Sequence, residues 1–238
     1  MTPPQRRLAL EASFERLAAT VPATIGMAIA GPGRAETRSF GRWRNGVAWS
    51  TIKVPLAIAA LRRDRPRTQE LAVKAITESD NAASEKLWSL LGAPAEAAQR
   101  LQAVIEESGN TATVVESQRI RSGFTAFGQT QWALVDQAHF ASYLPAIPDA
   151  AGVVDLMHRL VPEHRWGLAA KGVAAKGGWG PGADDGYLVR QFGFVPMQFG
   201  DLGVALAAEA SAFETGVGLL NEMAEWLFGH LPDLTRQR

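Results

Sequence analysis

Cysteine is absent from all 238 residues. That excludes disulfides, thiolate nucleophiles and cysteine-ligated zinc, and leaves the compartment undecided. A dominant charge is missing too. Lys plus Arg and Asp plus Glu number 24 each, so the formal net charge is zero and no nucleic-acid or polyanion partner is called for. No apolar run reaches the ~18 residues that would suggest a membrane span. Glu11, Glu15 and Arg16 interrupt the N-terminal segment, where a signal peptide needs an unbroken apolar core. The expectation is a cytoplasmic protein, or a periplasmic or extracellular one whose leader lies outside this sequence. The four histidines (His139, His158, His164 and His230) form no His-Glu-x-x-His pair, and Gly-x-Ser-x-Gly is absent. They read as surface or core histidines. GGWGPG at 177–182 lacks the pattern of a phosphate or dinucleotide loop, and Asp184-Asp185 reads as a turn. No metal and no cofactor are expected.

What is present is ample apolar material, 47% of the residues, enough for one large domain or two subdomains. Residues 8–19 read as an amphipathic helix, with Leu8, Phe14 and Leu17 toward one side. Residues 24–30 read as an apolar strand turned at Gly31-Pro32-Gly33, and 38–43 as a second strand. Residues 50–61 look helical, with local distortion at Pro55. Residues 62–67 read as a charged, solvated loop. Helices are expected over 71–91, with a polar centre, then 94–107, 130–143 and 151–160; residues 111–127 read as loop. Strands follow at 187–195 and 202–209, and a helix over 213–228 closes the chain. Strands at both ends flank a helical middle. The economical architecture is one sheet built from both ends, with helices inserted between. The boundaries are residues 1–50 plus 168–238 for the sheet unit and 51–167 for the all-helical unit. There is no internal repeat and no low-complexity linker.

Three stretches carry chemically useful side chains. In AWSTIKVPLAI (48–58), Ser50 and Lys53 stand three apart, so on a helix the hydroxyl and amine share a face. A serine needs a base before it becomes a nucleophile. A lysine serves only if its pKa falls from ~10.4 to ~7–8, as burial or a second cation would arrange. The bland alternative is a helix cap followed by a surface lysine. In AITESDNAA (75–83), Ser79, Asp80 and Asn81 are mediocre helix formers in the middle of an apparent helix. They are either a local loop or cap, or a proton relay with an amide to grip substrate. In AKGGW (175–179), Lys176 precedes Gly177 and Gly178, glycines that allow close backbone approach. An ordinary glycine turn beside a solvated lysine fits equally.

The order of the three is more specific than any one. Ser-x-x-Lys, then Ser-Asp-Asn, then Lys-x-Gly resembles the signature set of class A β-lactamases and penicillin-binding proteins. The resemblance extends to residues 8–30, to AITESDNAASEKLWSLLGAP at 75–94, and to 130–140, and so spans nearly the whole chain. It implies an α/β (α+β) fold with a mainly antiparallel sheet, flanking helices and an inserted helical subdomain. By that resemblance, Ser50 would be the nucleophile and Lys53 its base. Ser79 would pass a proton to the leaving nitrogen. Asn81 would orient the substrate amide and Lys53, and Asp80 would be structural. Lys176 would supply positive potential, with Gly177 and Gly178 beside the substrate. The N–H groups of Ser50 and Trp179 would form the oxyanion hole. The partner implied is a small-molecule or peptide acyl donor, a β-lactam or a D-Ala-D-Ala-like amide or ester, acting on a monomer. Of the seven tryptophans, Trp49 and Trp179 flank the site, while Trp88 and Trp226 read as core.

Three features depart from the pattern. Lys176-Gly177-Gly178 replaces Lys-Thr-Gly or Lys-Ser-Gly, removing a hydroxyl that normally holds a carboxylate; Arg190 is the candidate to compensate. Only 29 positions lead from Ser50 to Ser79, which predicts a more open cleft. The Glu-x-x-Leu-Asn pattern of the omega loop is absent, and Glu116, the one acid in VVESQRIR (114–121), falls too early to activate water. The expectation is acylation at Ser50 with slow deacylation. The alternative is a weak or inactive binding protein that keeps the fold.

Overall fold

The computed structural model describes residues 2–31, 37–182, 186–198 and 200–235. Pro32 and Gly33 of the expected turn and the Asp184-Asp185 pair lie outside them. The chain opens with α1 (Pro3–Ala19), β1 (Thr24–Ala30) and β2 (Thr37–Gly41). Helices α2 (Lys53–Thr77), α3 (Asn81–Leu91), α4 (Pro94–Glu106), α5 (Leu134–Tyr143) and α6 (Ala151–Met157) follow. Then come β3 (Ala175–Pro181), β4 (Tyr187–Val195), β5 (Leu202–Ala210) and α7 (Phe213–Thr235).

The five strands form one sheet in the order β2-β1-β5-β4-β3, and every pairing is antiparallel. The N- and C-terminal parts of the chain therefore meet where β1 pairs with β5. The central strands are buried nearly from end to end, because helices cover both faces. On one face lie α1 and α7, locked by Phe14 against Trp226 at 5.1 Å. On the other lies α5, close enough that a side chain at Gly203 of β5 would collide with the Ala138 carbonyl. The inserted helices continue this second core through Leu87, Leu101 and Phe127, and Trp88 packs at 5.2 Å from Phe127.

Several elements differ from the sequence reading. Residues 62–67 are not a loop: α2 runs through them with a kink at Asp64 (φ −158°, ψ 79°). Pro66 cannot donate to the helical ladder, and the Asp64 carboxylate accepts from Arg67 N at 3.3 Å instead. Pro55 stands in the first turn of α2, where its missing N–H has no partner to lose. The distortion lies earlier, in a 3₁₀ turn over Trp49–Ile52. The apparent helix at 71–91 is two. It breaks at Ser79, whose φ is +57°, and restarts at Asp80, whose carboxylate caps α3 by accepting from Ala83 N at 2.6 Å. Residues 130–133 precede α5, with Gln131 bridging to Val47.

Candidate active site

The 3₁₀ turn carrying Ser50 is held from three sides. Ala48 N donates to Thr130 O at 2.8 Å. Thr51 Oγ1 donates to Ala48 O at 2.5 Å and accepts from Gln137 Nε2 at 2.9 Å. Arg190, fully buried, donates to Gly46 O, Val47 O, Trp132 O and Gln137 Oε1 at 2.8–3.0 Å. The expectation that Arg190 would meet a substrate carboxylate is thus corrected. Its guanidinium is spent on carbonyls inside the core, with its pKa lowered by burial to about 9. Trp49, just before Ser50, has φ +49°. It and Ser79 are two of the three non-glycine residues with positive φ among those described, and such strain concentrates at functional sites.

Edge strand β3 crosses this turn. Its side chains alternate. A Cβ at Gly178 would lie 2.7 Å from Ser50 N and 2.9 Å from Thr51 N, and one at Gly180 would lie 2.6 Å from the Trp49 ring. On the opposite face, a side chain at Gly177 would run into the Trp166 indole. The two glycines after Lys176 answer to different neighbours, the nucleophile turn and a tryptophan.

Ser50, Lys53, Asn81 and Trp179 line one cleft of about 340 Å³. Lys53 and Lys176 are each only 1% exposed. The Lys53 amine donates to Ser79 O (2.6 Å), Asn81 Oδ1 (2.8 Å) and, more weakly, Ser79 Oγ (3.4 Å). Lys176 Nζ donates to Ser79 Oγ and Gly177 O, both at 2.9 Å. One hydroxyl therefore stands between two buried amines. Burial lowers the Lys53 pKa from 10.5 to about 7, against an opposing pull from Asp80. For Lys176, burial and then the Lys53 charge push the pKa well below its usual value. Ser50 shares the cleft with Lys53, yet no hydrogen bond joins their side chains among the described residues.

Sequence reasoning missed several members of the site. Glu85 and Arg119 line the cleft as an ion pair at 2.6 Å. Glu85 is four residues beyond Asn81, so helical spacing was the available signal. Phe124, edge-on to Trp49 at 5.1 Å, closes the same wall. His164 sits 5.0 Å from the Trp179 ring, and its pKa is lowered by burial and by Lys176. The sequence reading places it among the surface or core histidines, and it does not line the cleft. Glu116 turns back into its own loop, accepting from Gln118 N at 2.7 Å, and does not line the cleft.

The sheet order, the inserted helices and the paired amines beneath a serine-bearing turn describe a β-lactamase and penicillin-binding-protein-like fold. Among solved structures, the chain is similar to the TLA-3 extended-spectrum β-lactamase at 13% identity and TM-score 0.74, covering 94% of this chain and 98% of that one. It is similar to PBP-A at 21% identity and TM-score 0.70, covering 94% and 96%. It is similar to a β-lactamase from Chitinophaga pinensis DSM 2588 at 14% identity and TM-score 0.74, covering 94% and 99%. No protein-family model and no curated protein sequence matches the chain. The kinship is one of fold.

Proposed function

We propose that the protein is an active-site-serine hydrolase that is acylated on Ser50 by an amide, lactam or ester and releases the acyl group slowly. The observation that carries this reading is Ser79 Oγ held between Lys53 and Lys176, in surroundings that bring the Lys53 pKa to about 7. A buried ammonium is costly, and a free amine there is a base poised at working pH. Lys53 takes the Ser50 proton as Oγ attacks the acyl carbonyl. The N–H groups of Ser50 and Trp179 stabilise the oxyanion, a contribution of ~2.7–4 kcal/mol per donor in comparable sites. Ser79 passes a proton to the leaving atom, and Lys176 holds the Ser79 hydroxyl in place. Water then hydrolyses the Ser50 ester. With Glu116 turned away, this step is the slow one.

The test is intact-mass analysis after incubation with a neutral activated ester. One adduct on Ser50 is expected, lost in Ser50→Ala and in Lys53→Arg, since arginine does not release its proton. Undiminished labelling of Lys53→Arg removes the proposed base. A second reading, a binding protein that retains the fold, draws on the missing Ser50–Lys53 hydrogen bond. It predicts no adduct from any acyl donor.

A further inference from the structure

The cleft's cations are already committed. Among the described residues that line it, the positive side chains are Lys53 and Arg119. Lys53 is bonded to Ser79 and Asn81. Arg119 is paired with Glu85 and donates to Phe124 O at 3.3 Å. Behind the cleft, Lys176 is held by Ser79 and Gly177, and Arg190 by core carbonyls. Arg121 donates to Pro181 O, lies over the Phe124 ring, and does not line the cleft. An anion entering here would give up water without gaining a free cation, and that exchange is unfavourable.

Three rings line the cleft itself, Trp49, Phe124 and Trp179, and behind Trp179, on the face of β3 turned away from the Ser50 turn, the rings continue. Trp166 fills the space a side chain at Gly177 would need. It lies 6.1 Å from Trp179, which lies 5.3 Å from Phe213, and Tyr187 continues the block. Trp49, 6% exposed and lining the cleft, keeps its Nε1–H buried without a partner among the described residues. An indole N–H is a donor only. It offers a donor to an acceptor oxygen, of which an ester or amide carbonyl is one.

Resting on the Ser50 reading above, we propose that the acyl donor is uncharged on its leaving side: an ester or amide with an apolar or aromatic leaving group and no carboxylate near the scissile bond. Lowered pKa values support this, because burial favours the neutral amine at Lys53 and Lys176 and the neutral ring at His164, leaving little positive field to attract a carboxylate. In the acylation step the bond from Ser50 Oγ to the acyl carbon forms, the bond from that carbon to the leaving oxygen of an ester or nitrogen of an amide breaks, and the serine proton ends on that leaving atom.

Phenyl acetate and 3-acetoxybenzoate deliver the same acetyl group and differ by one carboxylate on the leaving group. Ser50 acetylation by each is followed by intact mass, with every rate divided by that ester's rate with hydroxide. The neutral ester is expected to react at least about tenfold faster, a difference of about 1.4 kcal/mol. Trp166→Ala, checked for a cooperative thermal transition, admits water beside Gly177 and moves the ratio toward one. Trp166→Phe keeps the wall and the ratio, and serves where the alanine variant does not fold. A carboxylate ester that reacts as fast or faster overturns the substrate class while leaving Ser50 acylation standing. An unchanged ratio in folded Trp166→Ala overturns the role given to that ring. No adduct from either ester overturns the acylation, and this inference with it.

Discussion

Replacing Lys53 with methionine keeps an unbranched side chain of similar length and removes a buried amine. The magnitude follows from the amine's two states. Its pKa is 10.5 ordinarily and about 7 in the fold, a gap worth about 5 kcal/mol. The folded value is the lower one, so the unfolded chain holds more protons between these limits. Stability of the natural protein therefore rises with pH across that window. The penalty for charging the amine is present in full below pH 7, falls by about 3–4 kcal/mol between pH 7 and pH 10, and vanishes above the unfolded pKa. Methionine escapes it, but leaves the Ser79 carbonyl and the Asn81 oxygen without their donor. Asn81 is exposed and recovers water, so the loss is charged to one half-buried acceptor, about 1–3 kcal/mol. At pH 7 the variant is expected to be more stable than the natural protein by about 1–3 kcal/mol. By pH 10 that advantage should be gone or reversed. Urea unfolding of both proteins from pH 6 to pH 10 measures the difference; titrations that do not feel Lys53 cancel, and Lys176 and His164, which do feel its charge, shift upward in the variant. Parallel stability curves over that range would refute a neutral, buried Lys53, and with it the base assigned to the site. Acylation should be lost in the variant at every pH.

Three further outcomes follow from the geometry. Acylation of Ser50 should rise with pH through about 7, as Lys53 loses its proton. Asp80→Asn should shift that limb to lower pH, because Asp80 raises the Lys53 pKa, while asparagine preserves the cap on α3; a stopped-flow pH profile reads both. Gly178→Ala should reduce acylation at least about 100-fold and cost about 1–3 kcal/mol, since its Cβ would press on the backbone of Ser50 and Thr51; wild-type labelling would show that β3 does not pass so close. Arg190→Met should destabilise the fold by about 3 kcal/mol or more, because several carbonyls around the Ser50 turn lose their donor; the preference between neutral and carboxylate esters should survive, and a changed preference would restore Arg190 as a substrate contact.

Most strands and helices were legible because burial imposes period two or 3.6 on apolar residues. Strands 187–195 and 202–209 match β4 and β5 to within a residue. The misreadings fell where a local exception was absorbed by neighbours. Pro66 bends α2 without ending it, since Asp64 supplies a substitute acceptor. Ser79 takes a left-handed backbone that no propensity announces. Glu85 and Arg119 escaped notice because each is ordinary in its own segment and joins the cleft only through packing.

By itself the sequence determined the inventory and its order: a serine and a lysine one helical turn apart, a polar break in a helix, a lysine ahead of two glycines, and strands at both ends of a helical middle. The tertiary structure alone decided what those groups are. It brings Lys176 to Ser79 across 97 positions, strips water from two amines, spends Arg190 on the core, and fills the space beside Gly177 with Trp166. The physical reason is that a side chain's protonation and reach depend on desolvation and on distant neighbours. Neither is set by local sequence; both are fixed only when the sheet closes around the helices.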